Sequence, residues 1–305
     1  MIKIDGIVPI IPVPFNEDES INFSDLKRLV EFCASSGAAA VCLPAYASEF
    51  YKLSENEREA VVGVAVEAAA KKIPVIGQAN HVSSRIACEM AKRYQELGVD
   101  IISTAVPRLF PLNDNDILNH LGRIAESISL PFLVQDFNPG GPTIGAQFIQ
   151  SLNKIYPNFA FVKLEEPLFV NKLIAIRDLV GDRVGVFEGW GGYYMLELIP
   201  HGLCGVMPGI ALLEPLNCIF QLAKAGEMEN AMTQMGQLLP FINYTLQNLE
   251  LLLQVEKRLL TRFGIIEHST VRASTYTPSE AEFAYSDLLI EHVLKVLPGI
   301  LNLYK

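Results

Sequence analysis

Eight short apolar runs rich in β-forming residues recur between residues 6 and 209, and mostly helical patterns separate them. The runs include IPVIGQA and LPFLVQDF and are nearly continuous in apolar residues, which is typical of parallel strands buried on both faces. Eight such units in about 210 residues fit a closed barrel better than an open doubly wound sheet. We therefore predict an α/β fold, a (β/α)8 TIM barrel, with strands within residues 6–15, 38–45, 73–79, 100–106, 131–137, 159–165, 183–190 and 203–209.

The segments outside these runs carry helix signals. The segment SENE has the Ser and Glu spacing of a helix-starting capping box. Beyond the eighth run, helical patterns cover about residues 213–263 and 279–301. No Gly/Ser linker or charge run separates them from the barrel, so we expect one domain. Residues 1–212 would form the barrel core, and residues 213–305 the last barrel helix plus a C-terminal helical extension.

Composition narrows the class of function. The formal net charge of −10 and the pI near 5.1 argue against a nucleic-acid partner, because phosphate binding requires a basic surface. The five cysteines are scattered and lack C-x-x-C spacing, which is typical of a reducing, cytoplasmic setting. The apolar N-terminal run is broken by prolines, and the other apolar stretches are too short or too charged to span a membrane. We expect an enzyme acting on a small molecule, with no membrane partner.

The sixth run, FAFVK, ends in a lysine at the carboxyl end of a strand, where barrels of this type carry their reacting groups. A strand period of two predicts that Phe159, Phe161 and Lys163 share one side, with Ala160 and Val162 on the other. A lysine facing the barrel interior is partly desolvated, so its free amine can attack a ketone carbonyl and form an imine. The alternative is a solvated lysine at the rim, paired with a neighbouring glutamate.

Several segments together match a known family: GIVPIIPVPFNEDESINFSDLKRLVEF, LSENEREAVV, IPVIGQA, SISLPFLVQ, FVKLEE and TYTP. Over essentially residues 1–300, the chain resembles the dihydrodipicolinate synthase and N-acetylneuraminate lyase family of Schiff-base barrels. The resemblance implies a lyase acting on pyruvate or a longer 2-oxo acid, with Lys163 as the imine-forming residue and no cofactor or metal besides that covalent imine. It also implies a homo-oligomer, a dimer or a homotetramer.

The chain departs from the family pattern at the expected catalytic positions. Gln135 stands where relatives have a catalytic tyrosine; an amide cannot titrate, although it can orient a water or a substrate hydroxyl. In the turn that holds the substrate carboxylate in relatives, both threonines are replaced. The carboxylate would then be bound by the amides of Ala47 and Ser48 and by the Ser48 hydroxyl. We expect Tyr46 to contribute a hydroxyl donor or a ring wall. Arg108 would supply an anion contact, unless it is a solvated loop arginine.

Three further residues are expected to contact the substrate. Gly189 and Trp190 follow the seventh run, where relatives have a glycine-containing turn next to the substrate tail. Trp190 would form an apolar wall or a lid over the barrel mouth. Cys204 aligns with a family residue whose backbone approaches the bound keto acid, and we assign its thiol no chemistry.

Three functions remain open from the sequence. The first is a carbon–carbon or carbon–oxygen lyase of the aldolase or dehydratase type that acts on a 2-oxo acid through Lys163. The loss of the family tyrosine and threonines favours a sugar acid or another 2-oxo acid over ordinary dihydrodipicolinate synthesis. The second is a metal-dependent barrel enzyme that holds Mg²⁺ with strand-end carboxylates. The third is a 2-oxo-acid binding protein without turnover. The carboxylates required by the second are Glu165, Glu166, Glu188 and Asp136.

Overall fold

Eight parallel strands form one sheet in the computed structural model, which describes residues 2–138 and 141–302. Around the sheet the order is β1, β8, β7, β6, β5, β4, β3 and β2. Between β1 and β2 the ring closes through backbone hydrogen bonds, from the Cys42 N–H to the Pro9 oxygen (3.1 Å) and from the Ile11 N–H to the Cys42 oxygen (3.0 Å). The predicted barrel is confirmed. Its strands are β1 (Gly6–Ile7), β2 (Val41–Leu43), β3 (Val75–Gln78), β4 (Ile101–Ala105), β5 (Phe132–Asp136), β6 (Phe159–Leu164), β7 (Gly185–Glu188) and β8 (Gly205–Val206).

Eleven α-helices lie between and after the strands of the described chain. The predicted capping box is present at the second helix, where the Glu57 N–H donates to Ser54 Oγ and the Ser54 N–H donates to the Glu57 carboxylate. The helices are α1 (Phe23–Ser35), α2 (Glu55–Ala69), α3 (Ser84–Leu97), α4 (Asp114–Ser127), α5 (Ala146–Ile155), α6 (Val170–Val180), α7 (Met195–Leu198), α8 (Leu213–Lys224), α9 (Met228–Thr245), α10 (Leu249–Arg262) and α11 (Glu280–Asn302).

The side chains of β6 differ from the predicted alternation at one end of the strand. Phe161 packs inside the barrel on Phe187, with ring centroids 5.6 Å apart, as expected from the strand period. Phe159, however, packs with the core between strands and helices, and Ala160 takes the interior position. The pairing of β5 with β6 shifts by one residue at this point, and such a bulge reverses the alternation of side chains. The strict period of two therefore fails before Phe161 and holds from Phe161 to Lys163.

The C-terminal helices cover the mouth of the barrel. The predicted boundary between residues 212 and 213 falls at the start of α8. From α10, the fully buried Lys257 pairs with Glu49, which follows β2, at 2.5 Å. An ion pair without solvent access fixes α10 against the barrel, since removing either partner would strand a buried charge. None of the helices in the described ranges is long and apolar enough to cross a membrane.

Candidate active site

A cavity of about 270 Å³ opens at the carboxyl ends of the strands. Six of the nine residues predicted from the sequence line it, from β2, β5, β6 and β7 and the turns that follow them. The barrel topology brings these residues together, because the carboxyl ends of all parallel strands lie on one face. The six are Tyr46, Ala47, Gln135, Lys163, Gly189 and Trp190.

Lys163 is held beside a carboxylate on the cavity wall. Its Nζ lies 3.0 Å from Glu165 Oε1, and both side chains are almost fully buried. Gln135, opposite Lys163 in the β5–β6 pairing, donates its amide to the same Glu165 oxygen at 2.5 Å. Gln78 on β3 in turn donates to the Gln135 oxygen and to Asn80. A chain of amides therefore fixes the position of Glu165 relative to the amine.

Glu165 is suited to exchange protons. Burial raises the pKa of its carboxyl above the ordinary value, and the opposing effects of the Lys163 ammonium and of the two hydrogen bonds do not fully cancel this. A carboxyl whose neutral and charged forms are brought closer in free energy can act as a general acid or base. From the sequence, Glu165 was expected only as a partner of a rim lysine or as a metal ligand, and Gln135 as the residue that replaces the family tyrosine. The structure adds a titratable group in contact with both.

Aromatic rings form one side of the cavity. The Tyr46 ring lies 5.3 Å from the ring of Phe137, and Phe137 lies 6.2 Å from Trp190. Burial, followed by the nearby Glu165 and Asp136 carboxylates, raises the pKa of the Tyr46 phenol, so it stays protonated and can donate a hydrogen bond. Both roles expected for Tyr46, ring wall and hydroxyl donor, are compatible with this position.

Glu188 organises the turn that carries Trp190. Its carboxylate accepts the Gly192 N–H at 2.8 Å and the Tyr194 N–H at 3.4 Å. Burial raises the pKa of Glu188 to about 7, although these backbone hydrogen bonds act in the opposite direction. With both carboxylate oxygens accepting backbone N–H groups, Glu188 holds the loop against the barrel end.

Three predicted contact residues do not reach the cavity. Arg108 forms a two-pronged ion pair with the fully buried Asp136, through Nε at 3.0 Å and Nη2 at 2.6 Å. The Ser48 side chain is fully buried, and its amide donates within its own turn to the Ala45 oxygen at 2.9 Å. The Cys204 thiol donates to the Val186 oxygen below the cavity.

The β8 side of the cavity is formed three to five residues beyond Cys204, by Met207, Pro208 and Gly209. The register is consistent with this, because Gly205 pairs with Phe187 and Val206 with Glu188, so the residues after Val206 follow the end of the strand. These three residues are the carboxyl end of the run predicted as the eighth strand, residues 203–209, although none of them was assigned a substrate contact.

The carboxylates required for a metal site are dispersed. Glu165 faces Lys163, Asp136 pairs with Arg108, and Glu188 binds backbone amides, while Glu166 pairs with a lysine and a threonine hydroxyl. Within residues 2–138 and 141–302, no group of three or more His, Cys, Asp or Glu side chains is arranged to hold a metal ion. The donor set of the metal-dependent alternative is therefore not assembled in the described part of the chain.

The largest group of cavity-lining residues that were not predicted from the sequence comes from the C-terminal helices α9 and α10 and their linker. Glu256 on α10 lies at the cavity, 2% exposed, among side chains from α9 and α10. A signal was available, since Glu256 falls three and four residues after Leu253 and Leu252, on the apolar stripe of the helix. The other residues from these two helices and their linker are Phe241, Ile242, Thr245, Leu246, Gln247, Asn248, Leu249 and Leu252.

Comparison with known proteins places this geometry in a family. The Dihydrodipicolinate synthetase family matches residues 3–286. The L-2-keto-3-deoxyarabonate dehydratase of Azospirillum brasilense is 26% identical over 265 residues, which are 86% of this chain and 85% of the relative. In fold, the chain is similar to dihydrodipicolinate synthase from Rhodopseudomonas palustris (TM-score 0.88, 23% identity, 95% and 97% of the two chains covered). It is also similar to N-acetylneuraminate lyase from Fusobacterium nucleatum (TM-score 0.84, 20% identity, 94% and 98% covered).

The match spans nearly the whole chain, and the relatives are named as a dehydratase, a synthase and a lyase. The resemblance inferred from sequence is thereby confirmed, and the chain is an enzyme of the lyase type. It belongs to the Dihydrodipicolinate synthetase family.

Proposed function

We propose that this enzyme is a Schiff-base lyase that acts on a hydroxylated 2-oxo acid longer than pyruvate, as a dehydratase or an aldolase. The observation that carries the proposal is the contact between the buried Lys163 amine and the Glu165 carboxylate on the wall of the barrel-mouth cavity. An amine held in a partly desolvated site beside a proton acceptor is the arrangement that imine formation needs. The covalent imine takes the place of a cofactor.

The reaction begins when the free Lys163 amine attacks the ketone carbon of the substrate, and loss of water gives an iminium. The iminium withdraws electrons, so a proton on the adjacent carbon can leave and an enamine forms. In a dehydratase, the enamine electrons then break the carbon–oxygen bond one carbon further on, and the hydroxide leaves as water after taking up a proton. In an aldolase, no proton leaves the adjacent carbon; the iminium accepts the electrons of the bond between that carbon and the next, whose hydroxyl loses its proton and becomes a carbonyl, and the resulting enamine is then protonated. Hydrolysis of the final imine consumes one water and returns the Lys163 amine.

Glu165 is the group that we assign to these proton transfers. Its Oε1 lies 3.0 Å from the Lys163 amine, and burial raises the pKa of its carboxyl, so taking up a proton costs it less free energy than it costs a solvated carboxylate. Gln135 cannot titrate, but its amide fixes the Glu165 oxygen. In this proposal Glu165 substitutes for the family tyrosine, Gln135 positions Glu165, and Tyr46 donates a hydrogen bond to the substrate.

The choice of a hydroxylated acid has two supports. The cavity volume of about 270 Å³ corresponds to about nine water molecules at ~30 Å³ each, which is more room than the three-carbon acid pyruvate fills. The A. brasilense relative is named for a keto-deoxy sugar acid and for a dehydration. We propose this substrate class, with the exact acid set by residues beyond the imine site.

We also propose a cytoplasmic homo-oligomer, a dimer or a tetramer. Large apolar side chains stand exposed on the loops after β4 and β6, namely Leu109 (66%), Phe110 (71%) and Leu168 (88%). Contacts between subunits would remove such surface from water. The five cysteines are free, which suits a reducing compartment.

Borohydride trapping tests the proposal. The wild type is incubated with pyruvate and with longer 2-oxo acids, reduced, and analysed by intact mass, alongside Lys163→Ala. Lys172→Ala is the matched control, because Lys172 pairs with Glu166 outside the cavity. We expect an adduct in the wild type and in the control and none in Lys163→Ala. No adduct in the wild type with any acid would refute imine chemistry.

Glu165→Gln separates an enzyme from a binding protein. If Glu165 transfers protons, this variant should still form the trapped imine, because the Lys163 amine remains, but more slowly, and it should lose turnover with its substrate. Trapping by the wild type without turnover of any hydroxylated acid would instead support a 2-oxo-acid binding protein.

A further inference from the structure

The cavity continues from Lys163 into a chamber between the barrel mouth and helices α9 and α10. Most of the chamber wall is apolar, so a substrate tail that enters it contacts carbon atoms over most of its length. The side chains of this apolar wall include Leu212, Leu216, Phe241, Ile242, Leu249 and Leu252. The exception is the carboxylate of Glu256, which also lines the cavity and is 2% exposed.

Glu256 has one oxygen in use and one without a partner. Its Oε1 accepts the Ala211 N–H at 3.0 Å, whereas Oε2 has no hydrogen-bond partner among the described residues. The neighbouring Lys257 points elsewhere and pairs with Glu49. A buried carboxylate oxygen without a donor is costly, and proteins rarely keep one unless something else supplies the donor.

The backbone leaves room for this carboxylate. A Cβ at position 209 would lie 2.3 and 2.5 Å from the two Glu256 oxygens, so only glycine after β8 permits the carboxylate to occupy its place. By contrast, Glu188, the other buried carboxylate with a pKa raised to about 7, has both oxygens bound to backbone amides. The loop amides account for both Glu188 oxygens, whereas no contact with a residue that the structure describes accounts for Glu256 Oε2.

We propose that Glu256 determines substrate specificity by accepting a hydrogen bond from a hydroxyl on the tail of the 2-oxo acid. This inference rests on the proposed function and deepens it, because it names the part of the substrate that the chamber recognises. The substrate is then a 2-oxo acid with a donor hydroxyl beyond the reacting carbons. A hydroxyl fits better than an ammonium, since the apolar wall would desolvate a second full charge.

The experiment compares matched acids in the trapping assay. The set is pyruvate, 2-oxohexanoate, its 5-hydroxy and 6-hydroxy derivatives, and the corresponding methoxy compounds, which can accept a hydrogen bond but cannot donate one. Half-saturating concentrations are measured for the wild type, Glu256→Leu and Glu256→Gln. Glu250→Gln is the control on the same helix, because Glu250 pairs with Lys52 outside the cavity.

We expect the wild type to prefer a hydroxy acid over its methoxy counterpart and over 2-oxohexanoate. Glu256→Leu should reduce that preference by at least about tenfold, the lower range for a hydrogen bond to a charged group. If the leucine variant does not fold, Glu256→Gln decides the question. Its oxygen can keep the Ala211 contact while its NH₂ group faces the chamber, so hydroxy and methoxy acids should bind alike. Glu250→Gln should keep the wild-type preference.

Pyruvate distinguishes a failure of the role proposed for Glu256 from a failure of the proposed Schiff-base function. It has no tail that reaches Glu256, so its half-saturating concentration should change less in the Glu256 variants than the half-saturating concentrations of the hydroxy acids do. Normal trapping of pyruvate, together with equal selectivity in the wild type and the Glu256 variants, would overturn the role of Glu256 alone. Failure of the wild type to trap any acid would overturn the proposed function and this inference with it.

Discussion

Glu256→Gln should change how the stability of the protein depends on pH. Burial raises the pKa of Glu256 from 4.5 to about 7, against the smaller effects of the Ala211 and Ile210 amides and of Lys257. In the unfolded chain the carboxyl ionises at its ordinary pKa. Below that value it is neutral in both states. Between the two pKa values it ionises only when the chain unfolds, so rising pH favours unfolding.

The magnitude follows from the size of the shift. One pKa unit corresponds to about 1.4 kcal/mol, so a shift from 4.5 to about 7 costs the folded state about 3 kcal/mol once the pH exceeds the folded pKa. Roughly 2 kcal/mol of this develops between about pH 5 and pH 8. The variant carries no titrating group at this position and keeps an oxygen for the Ala211 N–H. Relative to wild type, Glu256→Gln should therefore gain stability as the pH rises.

Urea unfolding followed by far-UV circular dichroism measures the effect, with the wild type and the variant at one protein concentration and at several pH values. Glu188 and all other titrating groups are present in both proteins, so their contributions cancel in the difference. Glu31→Gln, at an exposed position of α1, controls for the loss of one charge. A difference between wild type and Glu256→Gln that stays constant over the whole pH range would refute the argument that burial raises this pKa.

Two further substitutions test the structural roles assigned above. Arg108→Met should lower the free energy of unfolding by about 3 kcal/mol, because it leaves the fully buried Asp136 without its cation; a loss of substrate affinity at unchanged stability would instead support the anion contact expected from sequence. Gly189→Ala places a Cβ 2.5 Å from Lys163 Cε and 2.4 Å from Glu165 Cγ, so it should lower kcat by about 100-fold through displaced reacting groups while urea unfolding changes little. Wild-type kcat in this variant would show that the two side chains need not hold their present positions.

The architecture could be predicted because the pattern that specifies it is local. Continuous apolar runs require burial on both faces, and eight of them at this spacing favour a closed barrel over an open sheet. The inward direction of Lys163 followed from Phe161 two residues earlier, within one regular stretch of β6. The prediction failed two residues further back, at Phe159, because a bulge depends on pairing with the neighbouring strand.

The residues of the candidate site could be predicted where they lie at strand ends. They could not be predicted where segments distant in the sequence meet. Six of nine predicted residues line the cavity, since a barrel collects its strand ends on one face. Arg108 was expected to bind substrate, but Asp136 on the next strand is its partner. Glu165 was visible in the sequence, yet its role depends on the depth at which Lys163 and Gln135 are buried.

The sequence by itself determined the barrel and the strand that carries Lys163, because both depend on residue type and short-range spacing. Only the tertiary structure decided which carboxylate contacts Lys163 and which residues close the cavity. Lys257 and Glu49 are 208 residues apart in the chain, and Glu256 meets the turn after β8 across 45 residues. Burial of a charge is a property of what surrounds it in space, and those surroundings come from segments that no local pattern connects.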